Sequence, residues 1–376
     1  MKLYCSKTDL VEVINTVQKA ISPKSTIPLL ECVKIDASAN KGVVFTGNNM
    51  DICIEYRKDF NVEEGGSIAL GSKIFGEIVR KIPDGEVLIN VDEENDVTKI
   101  KCGISEFNIQ GLRSGEYPNP PEIEEKFNFF LSQKDLKNLI KKTISFVAMT
   151  EGKRPALTGA LFEIKNDTLN VVTSDGHRLA VVNKIINQNI EDAKFIVPGV
   201  SLRELLKILK DDDENIKIKV AYRYALFEFG EFNFFTRLLD GDFLKYEAII
   251  NASNTLKIQI ETGVLKDSLE RALLLINDDA AVMNNRVPVK FNIGFDKIEV
   301  SSMTGKGKVN DVINAKTDGD NLMIGFNCRF LLDALNACEE DEIIMEMSTP
   351  KSGCFIRSLN KENDYVFMVL PVRIYD

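Results

Sequence analysis

The feature that most constrains the fold of this chain is a unit that the sequence repeats three times. A short strand pattern followed by an amphipathic helix pattern occurs at residues 2–17, again at 129–144 and again at 256–273. Leu10, Leu136 and Leu265 correspond, at spacings of 126 and 129 residues. Self-similarity at a fixed period is typical of a repeated structural unit.

Two further markers follow the same register. A second helix pattern contains Glu77, Glu204 and Asp333, at spacings of 127 and 129 residues. A loop reads Gly-Glu-Tyr-Pro at 115–118 and Gly-Asp-Phe-Leu at 241–244, 126 residues later. Three markers in one register predict three domains, with boundaries at residues 1–126, 127–254 and 255–376, a number that suits a chain of 376 residues.

Strand patterns fill the space between the two helices of each unit. Apolar or alternating runs rich in β-branched residues predict strands, and each unit then gives a further strand, its second helix and three more strands. Because hairpins dominate, we expect antiparallel sheets. The fold class is therefore α+β, with three repeated domains that each pack two helices on curved antiparallel sheets. The first three strands of each unit are predicted at 32–36, 43–46 and 52–56, at 159–164, 169–172 and 179–182, and at 289–293, 298–302 and 309–313.

Composition narrows the class of protein. Hydrophobic residues make up 44% of the chain, which is enough for a substantial core. No apolar run approaches the length of a membrane span, and no signal peptide pattern opens the chain, so we expect a cytoplasmic protein. The seven cysteines are odd in number and include no Cys-x-x-Cys pair, which indicates reduced thiols and argues against a zinc site.

Charge is distributed unevenly between helices and the rest. The formal net charge of −10, taken alone, disfavours nucleic acid as a partner. Six helical windows are predicted, at residues 8–24, 72–82, 132–146, 201–210, 264–275 and 327–337. In these windows, however, Lys and Arg outnumber Asp and Glu by 15 to 8. We interpret this as a surface that faces a polyanion and contacts phosphates without reading bases. The alternative is that helices merely carry lysine on solvated faces.

The octapeptide at 173–180 reads Thr-Ser-Asp-Gly-His-Arg-Leu-Ala and predicts a tight hairpin turn. His177 is the only histidine of the chain and the first candidate for a general base. Ser174 and Asp175 are its neighbours on one turn, a spacing that disfavours a Ser-His-Asp triad. With no phosphate-binding loop and no metal-ligand spacing, an enzyme is the minority interpretation, and we expect neither a cofactor nor a metal.

Four stretches together resemble the DNA polymerase III β subunit family of bacterial sliding clamps. They are residues 154–163 (Arg-Pro-Ala-Leu-Thr-Gly-Ala-Leu-Phe-Glu), the octapeptide, residues 239–243 (Leu-Asp-Gly-Asp-Phe) and residues 369–374 (Val-Leu-Pro-Val-Arg-Ile). The resemblance covers the whole chain and implies the DNA clamp fold, in which two subunits close head to tail into a six-domain ring. Basic helices then line the hole around duplex DNA, which explains why the charge is segregated.

The implied function is that of a non-enzymatic processivity factor for DNA polymerase III. It encircles double-stranded DNA without sequence readout, and it has no membrane role. The partners implied are the polymerase III catalytic subunit, the clamp loader complex, and other clamp-binding-motif proteins such as translesion polymerases, mismatch repair proteins and ligase. Two other hypotheses remain open: a peptide-binding scaffold that never meets DNA, and a cytosolic hydrolase that uses His177.

The resemblance also implies an apolar pocket between the second and third domains, where partners insert a short linear motif. His177 and Arg178 would position the motif, and Leu and Phe side chains of the partner would fill the pocket. Ala248 stands where some family members carry arginine, and Leu244 where some carry proline, while Tyr375 and Asp376 run past the usual ending. The implied pocket residues are Arg154, Leu157, Ser174, Gly176, His177, Arg178, Leu179, Leu244, Ala248, Ile249, Asn327, Phe330, Met368, Leu370, Pro371, Val372 and Arg373.

Two more sets of residues follow from the resemblance and the charge argument. The dimer interface would pair the first domain of one subunit with the third of the other, so that sheet edges join. Its positions are Ile78, Phe107 and Ile109 against Leu275 and Ile276. The DNA-binding candidates are Lys24, Lys73, Arg80, Lys134, Lys137, Lys141, Lys142, Lys153, Lys207 and Lys210.

Overall fold

The computed structural model describes residues 1–150, 152, 154–276, 287–360 and 365–374. The chain forms two compact units, Met1–Lys137 with Val200–Leu238, and Asn138–Gly199 with Leu239–Asp376. The strand pairings within the described residues are antiparallel, as predicted. No described helix is both long and apolar enough to cross a membrane.

The first repeat contains two helices and nine strands among the described residues. Its helices are α1 (Lys7–Val17) and α2 (Ser72–Lys81). Its strands are β1 (Lys2–Ser6), β2 (Cys32–Ser38), β3 (Gly42–Asn48), β4 (Ile52–Lys58), β5 (Asn61–Glu64), β6 (Gly66–Gly71), β7 (Glu86–Asp92), β8 (Val97–Cys102) and β9 (Ser105–Gln110).

The second repeat follows the same order without a counterpart of β5. Its helices are α3 (Gln133–Thr143) and α4 (Gly199–Leu206), and a short helix α5 (Glu247–Ile250) follows its last strand. Its strands are β10 (Phe127–Ser132), β11 (Gly159–Lys165), β12 (Thr168–Ser174), β13 (Arg178–Ile185), β14 (Ala193–Pro198), β15 (Asn215–Val220), β16 (Tyr224–Phe229) and β17 (Phe232–Arg237).

The third repeat completes the series. Its helices are α6 (Thr262–Ile276) and α7 (Cys328–Asn336). Its strands are β18 (Leu256–Glu261), β19 (Val289–Gly294), β20 (Lys297–Thr304), β21 (Gly307–Asn314), β22 (Lys316–Asp318), β23 (Leu322–Phe326), β24 (Glu342–Met347), β25 (Cys354–Ser358) and β26 (Tyr365–Val369).

The predicted repeat register is confirmed by burial. Leu10, Leu136 and Leu265 are each fully buried on the inner face of the first helix of their repeat. Ser6 caps α1, because its hydroxyl accepts a hydrogen bond from the Asp9 amide at 3.1 Å. The nine predicted strands all form, extended at their ends by one to three residues. The helical window predicted at 8–24 was too long, since α1 ends at Val17 and gives way to a 3₁₀ turn.

Each compact unit contains one large sheet that joins strands of two repeats. In the first unit, an eight-stranded sheet runs β10-β15-β16-β17-β4-β3-β2-β6 beside a five-stranded sheet β5-β1-β7-β8-β9. In the second unit, a nine-stranded sheet runs β14-β11-β12-β13-β26-β25-β24-β18-β22 beside a four-stranded sheet β21-β20-β19-β23. The strand pairs that connect one repeat to the next are therefore β4–β17 and β13–β26.

Candidate functional site

The octapeptide forms a hairpin turn of three residues, 175–177, between β12 and β13. Asp175 Oδ1 accepts hydrogen bonds from the amides of His177 at 2.9 Å and Arg178 at 3.0 Å. Gly176 has a φ of +87°, a left-handed conformation that glycine adopts at little cost. The predicted hairpin is confirmed, and its tip is held by the Asp175 side chain.

The polar side chains of this turn are not arranged as a catalytic triad. Asp175 Oδ2 accepts from Arg178 Nε at 2.9 Å, and the Ser174 hydroxyl donates to the Arg178 carbonyl at 2.7 Å. A triad needs the carboxylate on the imidazole and the hydroxyl on the other imidazole nitrogen. The contacts of Asp175 and Ser174 are directed instead to Arg178 and to the backbone, which makes them structural.

Arg178 is buried and ties the second repeat to the third. Its guanidinium donates to Asp333 Oδ2 at 2.5 Å and to the Ser145 carbonyl at 2.5 Å, and it lies 4.3 Å from the ring centroid of Phe330. Only 8% of Arg178 is exposed. Arginine suits such a site because its planar fork satisfies several acceptors at once. Arg178 therefore positions its neighbours, and little of it is available to a partner.

The C-terminal strand seals one side of the site. β26 pairs with β13, and the Leu370 amide then donates to the His177 carbonyl at 2.8 Å. The Val372 amide donates to the Gly325 carbonyl at 2.8 Å, which holds the chain after the strand. The His177 ring stacks near Phe330, with centroids 6.3 Å apart. Residues from 177 and from 370 onward are therefore brought to one place.

An apolar floor lies beside this strand. Leu179 and Met368 belong to one buried cluster, and Leu244 and Ile249 pack against it while remaining partly accessible. Tyr246 in the same cluster donates to Glu163 at 2.5 Å. Burial, together with this hydrogen bond, raises the pKa of Tyr246 above its ordinary value, so the phenol stays protonated. Partly accessible side chains such as Leu244 and Ile249 can contact apolar side chains of a partner.

The remaining pocket candidates lie around the cluster. Leu157 is partly buried, on the turn that also carries Ala156 of the apolar cluster. Arg154, Ala248 and Arg373 are exposed, and Pro371 is partly buried. Their contribution to a partner site remains a prediction. Sequence reasoning missed Asp333, Ser145 and Phe146 as the surroundings of Arg178; the one signal was a lone acidic residue in an apolar helix pattern.

Asn327 supports Phe330 through the start of α7. Its side-chain oxygen accepts from the amides of Arg329 at 2.9 Å and Phe330 at 3.4 Å. We expect Asn327→Ala to lower the free energy of unfolding by about 1 kcal/mol, the usual effect of removing such a cap. Urea unfolding of both proteins measures the change, and Asn327→Ser, which keeps an acceptor, should restore most of it. An unchanged midpoint for Asn327→Ala would contradict the capping role.

The DNA-binding candidates fall into two groups. Three lysines form ion pairs within the chain: Lys137 with Asp211 at 2.6 Å, Lys142 with Glu339 at 3.1 Å and Lys207 with Glu204 at 2.7 Å. Arg80 donates to side-chain oxygens of Asn15 and Gln18. Lys24, Lys73, Lys134, Lys141 and Lys210 are exposed. Lys153 lies outside the described residues.

The dimer-interface candidates are not all on the surface. Phe107 is 38% exposed on β9, an edge strand, and Ile109 is partly buried on the same strand. Leu275 lies near Gly307 at the start of β21, which is also an edge strand. Ile78 and Ile276 are buried at 7% and 4% exposure and would support a contact from beneath. The neighbouring Leu274, exposed at 74%, was missed by sequence reasoning.

The described residues contain no cluster of three or more His, Cys, Asp or Glu side chains that could hold a metal ion. All seven cysteines are buried as free thiols. Burial raises the pKa of Cys328 to about 12, so the thiolate form is scarce at neutral pH.

Comparison with protein families gives three consecutive matches. The DNA polymerase III beta subunit N-terminal domain matches residues 1–121, its central domain matches 130–245, and its C-terminal domain matches 247–373. These matches follow the three repeats in order, and the three-domain DNA clamp fold predicted from the sequence is confirmed. The predicted boundaries at 126 and 254 remain predictions.

Individual proteins agree with the family matches. The chain is 35% identical over 388 residues to the beta sliding clamp of Halalkalibacterium halodurans and 34% identical over 386 residues to that of Staphylococcus epidermidis, with complete coverage of both chains in each case. The crystal structure of the DNA polymerase sliding clamp from Bacillus subtilis matches with a TM-score of 0.93, 36% identity and complete coverage of both chains. The beta subunit from DNA polymerase of Streptococcus pyogenes gives a TM-score of 0.93 at 26% identity, again over the full length of both.

Proposed function

The chain belongs to the DNA polymerase III β subunit family, and from this membership we propose how its residues act together. It is a DNA sliding clamp that supports processive synthesis by DNA polymerase III. The observation that carries this conclusion is the match of all three family domains, in order, along the chain. Its working site is the cytoplasm, where bacterial chromosomes are copied, and it has no catalytic activity of its own.

We propose that two copies close head to tail into a ring around duplex DNA. Two edge strands support this: among the described strands, β9 in the first repeat and β21 in the third each pair with one neighbour. Exposed apolar side chains accompany both edges, Phe107 on β9, and Val312 on β21 at 61% exposure. Joining β9 of one copy to β21 of the other would pair their backbone groups and cover these side chains. Because each copy offers both edges, the contact is head to tail, and we propose that it closes after two subunits.

The partner site we propose is the apolar cleft around Leu179, Met368, Leu244 and Ile249, bordered by His177 and Leu370. The cleft lies where β26 of the third repeat meets β13 of the second, so partner binding draws on both. The polymerase III catalytic subunit, the clamp loader and other proteins with a Leu- and Phe-bearing motif would compete for it. Such competition would let one clamp serve successive partners.

The contact with DNA is proposed to be electrostatic and independent of sequence. α3 carries four lysines and one acidic residue, and α2 carries three basic residues and one acidic residue. Exposed lysines reach phosphates, and each phosphate that is neutralised releases counterions. A weak and uniform grip of this kind lets the ring slide, since no base pair is preferred.

Removing exposed lysines tests both DNA contact and the scaffold alternative. We expect Lys134→Ala, Lys141→Ala and Lys210→Ala combined to flatten the plot of log affinity against log salt by about 0.9 for each phosphate that is no longer neutralised. Fluorescence anisotropy with a labelled duplex at several salt concentrations measures this slope. Lys165→Ala, an exposed lysine at a hairpin end, is the matched control. A peptide-binding scaffold without a DNA role would show no change in either variant.

Processivity itself is tested on a primed circular template copied by DNA polymerase III with its clamp loader. Adding this protein should lengthen the products made in one binding event, because the ring keeps the polymerase on DNA. Products of equal length with and without the protein would contradict the clamp function. His177→Ala should reduce the gain without abolishing it, whereas a hydrolase that uses His177 would lose all turnover.

A further inference from the structure

The turn between β3 and β4 in the first repeat has the same hydrogen-bonding pattern as the turn between β12 and β13 at the partner site. Asn48 Oδ1 accepts from the Met50 amide at 2.8 Å, and Asn49 Oδ1 accepts from the amides of Asp51 at 3.1 Å and Ile52 at 2.8 Å. The Ser-Asp pair of the partner-site turn makes the same three kinds of bond, 126 residues later. The side chains differ, Asn-Asn in one turn and Ser-Asp in the other, but the pattern of hydrogen bonds is the same.

The strand pair beside this turn, β4 with β17, also resembles the pair β13 with β26 at the partner site. The Arg237 amide donates to the Asp51 carbonyl at 2.8 Å, directly after β17 pairs with β4. Cys53, Leu226 and Phe235 form one buried cluster, and Ile123 packs against it. The corresponding positions at the partner site, taken from strand pairing and the repeat spacing, are Leu179, Phe355, Met368 and Ile249.

A groove of about 110 Å³ lies beside the β4–β17 pair. Met50, Cys53, Pro118 and Phe235 supply most of its apolar lining, and Tyr224 forms one wall. Two positions of this groove carry larger side chains than their counterparts at the partner site. Met50 stands where that site has Gly176, and Tyr224 stands where it has Gly353.

Charge and conformation distinguish this groove further. Of the described residues that line it, Asp51 alone is charged, and its side chain is exposed. Met50 has a φ of +75°, which is unusual for a long side chain, and it is 56% exposed at the mouth of the groove. The side-chain amide Nδ2 of Asn48 donates to the Pro118 carbonyl at 3.2 Å, which fixes the opposite rim. The groove is therefore held open by bonds that do not involve a ligand.

We propose that this groove is a second peptide site. It takes an extended segment of a partner protein that carries one leucine-sized side chain next to a basic residue. A volume of 110 Å³ is far below the roughly 300–1,000 Å³ of small-molecule sites, yet it suits a single aliphatic side chain. The exposed carboxylate of Asp51 favours a neighbouring lysine or arginine. The partner site proposed for the second and third repeats has Gly176 and Gly353 where this groove has Met50 and Tyr224, so the two sites would select different segments.

The test uses the full chain, labelled with ¹³C at the methionine methyl groups, and the pentapeptide Ac-Gly-Lys-Leu-Lys-Gly-NH₂. The Met50 methyl resonance, assigned by its loss in Met50→Leu, should shift and saturate as the peptide is added. The peptide with Ala in place of Leu should leave it unmoved, because the groove then has no anchor. Asp51→Asn should weaken binding by about threefold, the size expected for an exposed ion pair.

Leu370→Asp separates the two grooves. The substitution alters the partner site and leaves the groove beside the β4–β17 pair intact, so the Met50 shift should persist in that variant. Loss of the shift in Leu370→Asp would overturn the proposal, since the effect would then originate at the partner site. Absence of any Met50 shift, or an equal shift with the Ala peptide, would overturn it as well. Failure of the partner site would show itself separately, with a peptide carrying Leu and Phe anchors.

Discussion

Leu370→Asp should bind a fluorescent peptide carrying Leu and Phe anchors at least about thirtyfold more weakly than the parent protein, as expected when an interface hot spot worth about 2 kcal/mol is lost. Leu370 borders the apolar floor with 36% of its surface exposed. Its amide remains bonded to the His177 carbonyl, so the substitution changes the side chain and not the path of the backbone. A carboxylate at the border of the apolar floor must lose water on peptide binding without gaining a partner, which opposes binding.

Two companion variants make the result specific. Leu359→Asp changes a leucine of similar exposure, 41%, outside the cleft, and it should bind the peptide as the parent does. Removal of residues 370–376 deletes the border altogether and should abolish binding. Fluorescence polarisation measures all four proteins, and circular dichroism verifies that they are folded. If the parent protein is folded and binds no peptide, the octapeptide is only a turn here and the proposed partner site is wrong.

The sequence predicted the repeat because the signal for it is local. Leu10, Leu136 and Leu265 each head an apolar helix face, and such a face can be recognised from spacing alone. The strands β5 and β22 were missed, since runs of four and three residues carry too little pattern to stand out. Local periodicity thus gives the order of elements and fails for short edge strands.

Most of the environment of Arg178 could not be predicted, because its partners other than Asp175 are distant in the sequence. Asp333 lies 155 residues away and Ser145 contributes only a backbone carbonyl. The family resemblance placed Arg178 in the partner pocket, and the structure buries it beneath Phe330. Whether a residue lines a pocket or supports one depends on side-chain depth, which spacing does not reveal.

The equivalence of the β3–β4 turn and the β12–β13 turn was also hidden from sequence reasoning. The 126-residue spacing was visible in the loop at 115–118 and its counterpart at 241–244. The turn residues, Asn-Asn in one repeat and Ser-Asp in the other, share no side chain. Their hydrogen bonds and the repeat spacing identify them as equivalent, because an amide oxygen, a hydroxyl and a carboxylate can each accept from the same backbone amides.

Phe107→Asp should convert the dimer into monomers. The ring we propose has two equal interfaces, so each energetic loss counts twice. If Phe107 is a hot spot worth about 2 kcal/mol per interface, the dimer loses about 4 kcal/mol, and its Kd rises on the order of a thousandfold. In the proposed ring the new carboxylate on β9 would face apolar side chains of the other copy, where Val312 on β21 and Leu274 on α6 are exposed. Sedimentation equilibrium measures the change, and processive synthesis should fall with it, because a ring that does not close cannot retain DNA.

Phe130→Asp is the matched control for this experiment. Phe130 is also a phenylalanine on an edge strand, β10, and its exposure of 44% is close to the 38% of Phe107, but it belongs to the second repeat. An equal effect of both substitutions would mean that any charged edge strand weakens the assembly, and would remove the reason to single out β9. A stable dimer of Phe107→Asp would place the interface elsewhere. Dissociation of Phe107→Asp alone would tie ring closure to the pairing of β9 with β21, which follows from the two free edges and the head-to-tail arrangement.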